Sequence, residues 1–226
     1  MEVTLLCSTG LLVCHGNSAI LFDGLNGRHG SFKQIDRMLA QRIIQGTLPP
    51  DAHIDGLFYS HLHPDHYDQP DNAAFLQKHP YVVTFFPAPE MPDHGILQAG
   101  VFTVEYQYHE HMPCDYVWAK HYTFFVQVGG MSFYLTADAE LSPEKHRAFL
   151  HGRIADHGFF NAVYLSYPET RKLLRETARH SWIYHMPEPE TDSSGICKKA
   201  AKNLARYGGE LPNVTVLEQY PTIILR

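Results

Sequence analysis

Short apolar runs separated by turn residues open the chain and predict β-strands over residues 3–6, 11–14 and 18–22. From Ser31 the apolar positions take helical spacing, which predicts a helix that begins at Ser31 and ends at Gly46. Further strands are predicted over residues 54–60, 81–86, 101–108, 121–128, 131–136, 159–166, 182–185, 214–217 and 222–225. Further helices are predicted over residues 71–79, from 143, 169–180 and 192–207. This order predicts an α+β fold in which two mixed sheets pack face to face with helices outside.

The two halves of the chain repeat one pattern. In each half an apolar strand ends in an acid, and a later strand ends in a histidine. The pairs are Asp23 with His61, 38 residues apart (61 − 23), and Asp138 with His185, 47 residues apart (185 − 138). A duplicated half-domain would bring the four strand ends to one edge, so the repeat predicts a cleft to which both halves contribute.

Composition narrows the classes of function. The 226 residues suit a single domain over 1–226. A net charge of −6 argues against nucleic acid or an anionic membrane as a partner, and it leaves a small molecule as the expected substrate. The chain opens without a basic segment before an apolar stretch, and no apolar run approaches the roughly 20 residues of a membrane span. We therefore expect a cytoplasmic location, while the oligomeric state stays open.

The cysteines and histidines carry more information than the charge. None of Cys7, Cys14, Cys114 and Cys197 forms a C-x-x-C pair, so the sequence supports neither a zinc ribbon nor a thioredoxin-like redox site. We therefore expect free thiols. The 16 histidines nearly equal the 18 Lys and Arg residues together. Histidine is the commonest metal ligand and a frequent acid–base group, so their positions decide the interpretation.

The strongest motif is an H-x-H-x-D-H run at the end of the predicted strand over residues 54–60. His61 and His63 are two residues apart at a strand end, so their side chains point the same way. Pro64 can open a helical turn that carries Asp65 and His66. Two imidazoles then face one point, and a carboxylate with a third imidazole faces another. This arrangement suits two metal ions that share a water; the alternative is a polar loop of solvated histidines.

With Asp23 before it and Asp138 and His185 after it, the motif resembles that of the metallo-β-lactamase-fold superfamily of metal-dependent hydrolases. Among its branches, the short chain looks most like the ascorbate-6-phosphate-lactonase-like hydrolases. The resemblance implies a four-layer αββα sandwich and makes Asp138 a bridging acid, with Ala137 before it where the family usually has glycine. Asp23 would hold a metal-bound histidine through its second nitrogen.

One ligand of that family pattern has three candidates in this sequence. The family places a histidine shortly before the hairpin that ends in the bridging acid. His121 lies 17 residues before Asp138 (138 − 121), about one hairpin, and we prefer it. His111 and His109 are the alternatives, and some short members lack this ligand, which would leave one metal ion instead of two.

The resemblance implies a hydrolase that uses a metal-bound hydroxide on a small ester, lactone or phosphoester. Zinc is the expected metal, as one or two ions, with manganese or iron as alternatives. Asp65 would also be catalytic by orienting the attacking water. The implied metal ligands are His61, His63, Asp65, His66, His121, Asp138 and His185.

Three other functions compete with this one. A phosphodiesterase or nuclease of the same fold is disfavoured by the acidic charge. A metal-binding scaffold or sensor without turnover stays open. The branch that pairs two irons with a flavin domain is disfavoured because the chain leaves no room for such a domain.

Overall fold

The computed structural model describes residues 1–47, 52–113 and 120–225. The strands are β1 (Glu2–Leu5), β2 (Leu11–His15), β3 (Ser18–Phe22), β4 (His53–Phe58), β5 (Val83–Phe85), β6 (His94–Ala99), β7 (Phe102–His109), β8 (His121–Val128), β9 (Met131–Leu135), β10 (Ala155–Asn161), β11 (Ala178–Tyr184), β12 (Val214–Val216) and β13 (Thr222–Leu225). The helices are α1 (Arg37–Gln45), α2 (Gln69–Lys78), α3 (Pro143–Leu150), α4 (Pro168–Thr177) and α5 (Ile196–Tyr207). Two short 3-10 helices cover Ala162–Leu165 and Gly208–Glu210.

The strands form two mixed sheets, as the sequence predicts. A six-stranded sheet has the order β13-β1-β2-β3-β4-β5, and a seven-stranded sheet has the order β12-β11-β10-β9-β8-β7-β6. In the first sheet β1 to β3 pair antiparallel and β3 to β5 pair parallel. In the second sheet β6 to β9 pair antiparallel and β9 to β12 pair parallel.

The four layers follow from strands that bury both faces. Along β3, Ile20 and Phe22 enter the core between the sheets, while Ala19 and Leu21 pack towards α1 and α2. Because side chains alternate along a strand, a fully buried strand serves two cores. The second sheet packs in the same way against α3, α4 and α5. The arrangement is the αββα sandwich that the sequence predicts.

Two helices of the first half begin at other residues than predicted, for local reasons. Helix α1 begins at Arg37 instead of Ser31, because the Asp36 carboxylate accepts hydrogen bonds from the first-turn N–H groups and caps the helix there. Its C-terminal cap is Gly46, as predicted, in the left-handed conformation. Helix α2 begins at Gln69 instead of Asp71, because the Asp68 side chain accepts the N–H of Asp71 and caps the helix.

The second half contains two further differences. The predicted strand over 159–166 stops at Asn161, whose side chain accepts the Val163 N–H and starts a 3-10 turn. The predicted helix over 169–180 ends at Thr177, and β11 begins at the next residue. Strand β6 was not predicted, since its side chains alternate between exposed and partly buried and carry little apolar signal.

None of the described helices is long and apolar enough to cross a membrane. The segment from Tyr106 to Tyr122 is rich in aromatic residues. Tyr106 and Tyr122 belong to the core between the sheets, whereas Tyr116 and Trp118 lie outside the described residues.

The buried cysteines give a direct test of the packing. Cys7 and Cys14 are buried free thiols, and burial raises the pKa of each to about 11. We expect both to react with iodoacetamide at least about tenfold more slowly in the folded protein than in guanidinium, because only the thiolate is nucleophilic. Peptide mass mapping at neutral pH measures this. Equal alkylation of Cys7 in both states would contradict the packing. Cys114 lies outside the described residues.

Candidate metal centre

Strand ends from both sheets meet at one edge of the sandwich, as the internal repeat predicts. The backbone N–H of Tyr122 donates to the carbonyl of Ser60 across the two sheets at 2.8 Å, and that of His185 donates to Ser8 at 2.9 Å. The first bond holds the loop after β4 against the start of β8, and the second holds the loop after β1 against the end of β11. The side chains that follow these strands therefore face a shared space.

Seven ligand-type side chains converge in that space. They form three overlapping groups, and within each group the potential ligand atoms lie within 4.8 Å of one another. The groups are His61 with His63 and His111, His61 with His66 and Asp138, and Asp65 with His66 and His185. All but His111 are buried, and His111 is nearly so.

Asp138 lies at the centre of these groups. Its Oδ2 is 3.3 Å from the Nε2 atoms of both His66 and His185. The same oxygen is 3.6 Å from Nε2 of His111 and 3.8 Å from Nε2 of His61. One carboxylate oxygen thus faces four imidazole nitrogens, which is the position that a shared metal ligand requires.

Two outer ring nitrogens of the cluster are held by acceptors. Nδ1 of His66 lies 3.0 Å from Oδ2 of Asp23, and Nδ1 of His111 lies 2.5 Å from the carbonyl oxygen of Met112. Asp23 is itself fixed, since its two oxygens accept the N–H and the hydroxyl of Ser60 at 2.8 Å each. A neutral imidazole that donates from Nδ1 presents the lone pair of Nε2 to the cluster.

This donor set fits a divalent cation. Nε2 of His66 lies 3.1 Å from Nε2 of His185, and Nε2 of His111 lies 3.3 Å from that of His61. Nitrogen lone pairs and carboxylate oxygens this close repel one another unless positive charge lies between them. Imidazole and carboxylate together are ligands that zinc, manganese and iron accept.

The electrostatics hold three members of the cluster in the protonation state that binds metal. Burial lowers the pKa of His61 well below its ordinary value, and burial lowers that of His63 to about 4. For Asp138, burial acts in the opposite direction, but His185 and the neighbouring imidazoles outweigh it and hold the pKa well below the usual range. Near neutral pH, His61 and His63 are neutral and Asp138 is ionised, the forms that bind metal. For His66 and His111, burial lowers the pKa, but Asp23 and Asp138, respectively, outweigh burial and raise it.

The preference for His121 as the third-motif residue stays a prediction, but the structure places His111 beside His61 and His63. Among the described residues His121 belongs to none of the three groups. Its Nε2 instead accepts the backbone N–H of Asp138 at 3.1 Å. His121 begins β8 opposite His109, whereas His111 lies two residues beyond β7 and can reach further into the cluster.

His109 points away from the centre. Its Nδ1 lies 3.1 Å from the Thr123 hydroxyl, and its ring stacks on that of His146 at a centroid distance of 4.6 Å. The two histidines around Glu110 would share one face of a continuous strand, but β7 ends at His109 and separates them.

Three residues beside the cluster have left-handed backbone conformations. The φ angle is 47° at Asp23, 44° at Ala137 and 56° at His185. Each follows the end of a strand and turns the chain sharply, which carries the polar side chains into the shared space. This conformation costs roughly 1 kcal/mol for a residue with a Cβ, so the surrounding packing must hold Ala137 where glycine would adopt it freely.

The cluster opens onto a cleft of about 630 Å³. One part of the lining is polar. It consists of the side chains of the cluster that face the cleft, together with His29 and Asn161. The other part is apolar and consists of Phe32, Met112, Pro113, Leu141, Val163, Tyr167 and Ile196. Sequence patterns did not identify Asn161 or Phe32, because each is brought to the site by its neighbours in space and not by a motif.

No protein-family model matches the chain, and no curated protein matches its sequence. Solved structures do resemble it. The metallo-beta-lactamase fold protein YhfI from Bacillus subtilis superposes with a TM-score of 0.63 at 16% identity, over 98% of this chain and 97% of that one. A possible metal-dependent hydrolase from Veillonella parvula gives 0.66 at 13% identity, over 99% and 98%.

A third structure is similar over part of its length. CmlA, a diiron beta-hydroxylase from Streptomyces venezuelae, superposes with a TM-score of 0.68 at 14% identity over 100% of this chain and 54% of CmlA. These likenesses agree with the two mixed sheets, the outer helices and the His/Asp cluster at the sheet edge. The chain therefore has the metallo-β-lactamase fold.

Proposed function

We propose that the protein is a metal-dependent hydrolase of a small carboxylic ester or lactone. The observation that carries this proposal is the convergence of four imidazole nitrogens on one oxygen of Asp138 at the base of a cleft. A divalent cation bound there would polarise the substrate carbonyl and lower the pKa of water. Zinc is the metal that we expect first, with manganese and iron as alternatives.

The groups of neighbouring side chains divide into two candidate metal positions. The first would be held by His61, His63 and His111, and the second by Asp65, His66 and His185, with Asp138 shared. Asp23 would support a metal ligand instead of binding the metal itself, since its contact with Nδ1 of His66 fixes the direction of Nε2.

Asp65 is the residue that we assign to proton handling. It lines the cleft, and its Oδ2 lies 3.5 Å from Nε2 of His185. Its backbone carbonyl accepts the Thr9 hydroxyl at 2.8 Å and the Asn26 amide at 3.0 Å, so the residue is held from behind. A fixed carboxylate at the cleft surface can orient a water and accept its proton.

The apolar wall of the cleft supports an ester or lactone as the substrate class. Phe32 packs edge-on against His185 at a centroid distance of 4.3 Å, which places an apolar ring directly beside the cluster. Leu141, Val163 and Ile196 extend the apolar lining. A substrate with a hydrocarbon flank next to its carbonyl would bury that flank here.

A substrate panel tests this function on the purified protein. We expect p-nitrophenyl butyrate or a γ- or δ-lactone to be hydrolysed, with activity lost in a chelator and restored by zinc or manganese. Asp65→Asn should lower kcat by roughly 10²-fold or more if it handles the proton. The matched control is Asp93→Asn, an exposed carboxylate, which should leave the rate unchanged.

The other outcomes of this panel identify the alternatives. Faster turnover of bis-p-nitrophenyl phosphate than of any ester would indicate a phosphodiesterase of the same fold. Tight metal binding without turnover of any substrate class would indicate a metal-binding scaffold or sensor.

A further inference from the structure

We infer that Asn161 is a positioning residue that fixes the Asp138 carboxylate so that only its Oδ2 faces the metal positions. This inference rests on the metal binding in the proposed function. It concerns which oxygen of Asp138 a cation can reach, and it makes Asn161 part of the centre although it supplies no ligand.

Asn161 stands between the two strand ends that carry the cluster in the second sheet. It is the last residue of β10, and it pairs with Tyr184 at the end of β11, one residue before His185. On the other side β10 pairs with β9, whose end leads to Asp138. Asn161 is buried and lines the cleft.

The hydrogen bonds of Asn161 hold the carboxylate from one side. Its Nδ2 donates to Oδ1 of Asp138 at 2.6 Å, while its Oδ1 accepts the backbone N–H of Val163 at 3.0 Å. The second bond fixes the orientation of the amide. A flipped amide would set its oxygen against a carboxylate oxygen and its NH2 against an N–H donor.

The backbone of Asp138 is held independently, because its N–H donates to Nε2 of His121. The residue is thus restrained at its main chain and at Oδ1, and Oδ2 alone remains directed at the imidazoles. Without Asn161 the carboxylate could rotate about its last torsion and offer either oxygen, which would loosen the geometry of both metal positions. Outer hydrogen-bond partners of this kind typically contribute about 10–100-fold to metal affinity.

The test compares Asn161→Ser with the wild type in competition for zinc against a chromophoric chelator. Serine is a good cap for the 3-10 turn and can still accept the Val163 N–H, but its hydroxyl is too short to replace the amide donor. We expect zinc affinity to fall by about 10–100-fold. The far-ultraviolet circular dichroism and the unfolding temperature of the metal-free variant should stay close to those of the wild type. Asn213→Ser, at an exposed asparagine, is the matched control and should bind zinc normally.

A second measurement uses the wild-type chain and so does not depend on the folding of a variant. In heteronuclear NMR the Asn161 side-chain amide protons should exchange slowly with solvent and shift when zinc is added. Unchanged zinc affinity in Asn161→Ser, or freely exchanging Asn161 amide protons, would overturn this inference alone. A wild-type protein that binds no divalent metal would overturn the proposed function together with it.

Discussion

Asp138→Asn is expected to remove the proposed metal binding and, with it, the proposed hydrolytic activity. The substitution keeps the size of the side chain but deletes the negative charge that four imidazole nitrogens approach within 3.8 Å. A neutral amide also sets an NH2 group against either the imidazoles or the amide of Asn161. Since loss of an outer hydrogen-bond partner alone costs about 10–100-fold, we expect more than about 10²-fold in both affinity and kcat.

Elemental analysis after dialysis against buffered zinc measures the first part of this expectation, and the initial rate with the best substrate of the panel measures the second. The control is Asp93→Asn, in which the same chemical change falls on an exposed carboxylate beside Lys120. An Asp138→Asn protein that keeps the metal content and rate of the wild type would show that Asp138 is not a ligand.

Acid is expected to destabilise the protein strongly through His146, which is buried outside the metal centre. Its Nε2 lies 2.9 Å from both the Glu140 carbonyl and the Tyr164 hydroxyl, and its Nδ1 contacts the Tyr134 hydroxyl. Burial lowers the pKa of His146 from 6.5 to about 3. In the unfolded chain the same histidine titrates near its ordinary value.

The direction of this pH effect follows from proton uptake by the unfolded chain. Between pH 6.5 and about 3 the unfolded state binds a proton at His146 that the folded state does not bind, so the free energy of unfolding falls as the pH falls. The loss is about 1.4 kcal/mol per pH unit and about 5 kcal/mol over the whole range. That is a large part of the roughly 5–15 kcal/mol that stabilises a typical domain.

Urea unfolding from pH 7 to pH 4, with chelator present throughout, tests this expectation. His146→Gln removes the titration and should flatten the slope of stability against pH by about one proton, whatever its effect at neutral pH. His151→Asn is the control, because His151 is exposed and asparagine readily adopts its left-handed backbone conformation. An identical pH slope in the wild type and His146→Gln would contradict the assignment.

The arrangement of the site is easiest to predict for the residues that lie next to one another in the sequence. His61, His63, Asp65 and His66 lie within one strand end and one turn, and the N–H of His66 donates to the carbonyl of His63 at 2.9 Å to close that turn. Two residues of spacing and one proline are enough to set such an arrangement.

The choice between His111 and His121 depended on something that spacing does not encode. The two residues lie on opposite sides of the connection between β7 and β8, and the register of that hairpin decides which ring reaches the cluster. Register depends on long-range packing of the two strands against the core. Counting back from Asp138 could not decide it.

The start of α1 was missed for a related reason. The apolar period suggested a helix from Ser31, but Phe32 forms a bridge to Pro187 and packs on His185 instead of continuing the helix. The contact of Phe32 with Pro187, more than 150 positions away, thus prevents the helix from starting where the apolar period predicts. It also places Phe32 in the wall of the cleft.

The distribution of the ligand-type residues over both sheets has a mechanical consequence. His61 to His66 follow a strand of the six-stranded sheet, whereas His111, Asp138 and His185 follow strands of the seven-stranded sheet. A cation bound to both sets would act as a non-covalent cross-link that exists only in the folded chain, so its binding energy would add to the resistance against heat and urea. At a free concentration one hundred times the dissociation constant, that addition is about 2.7 kcal/mol. Loss of the metal would thus lower the stability of the folded protein as well as its catalytic activity.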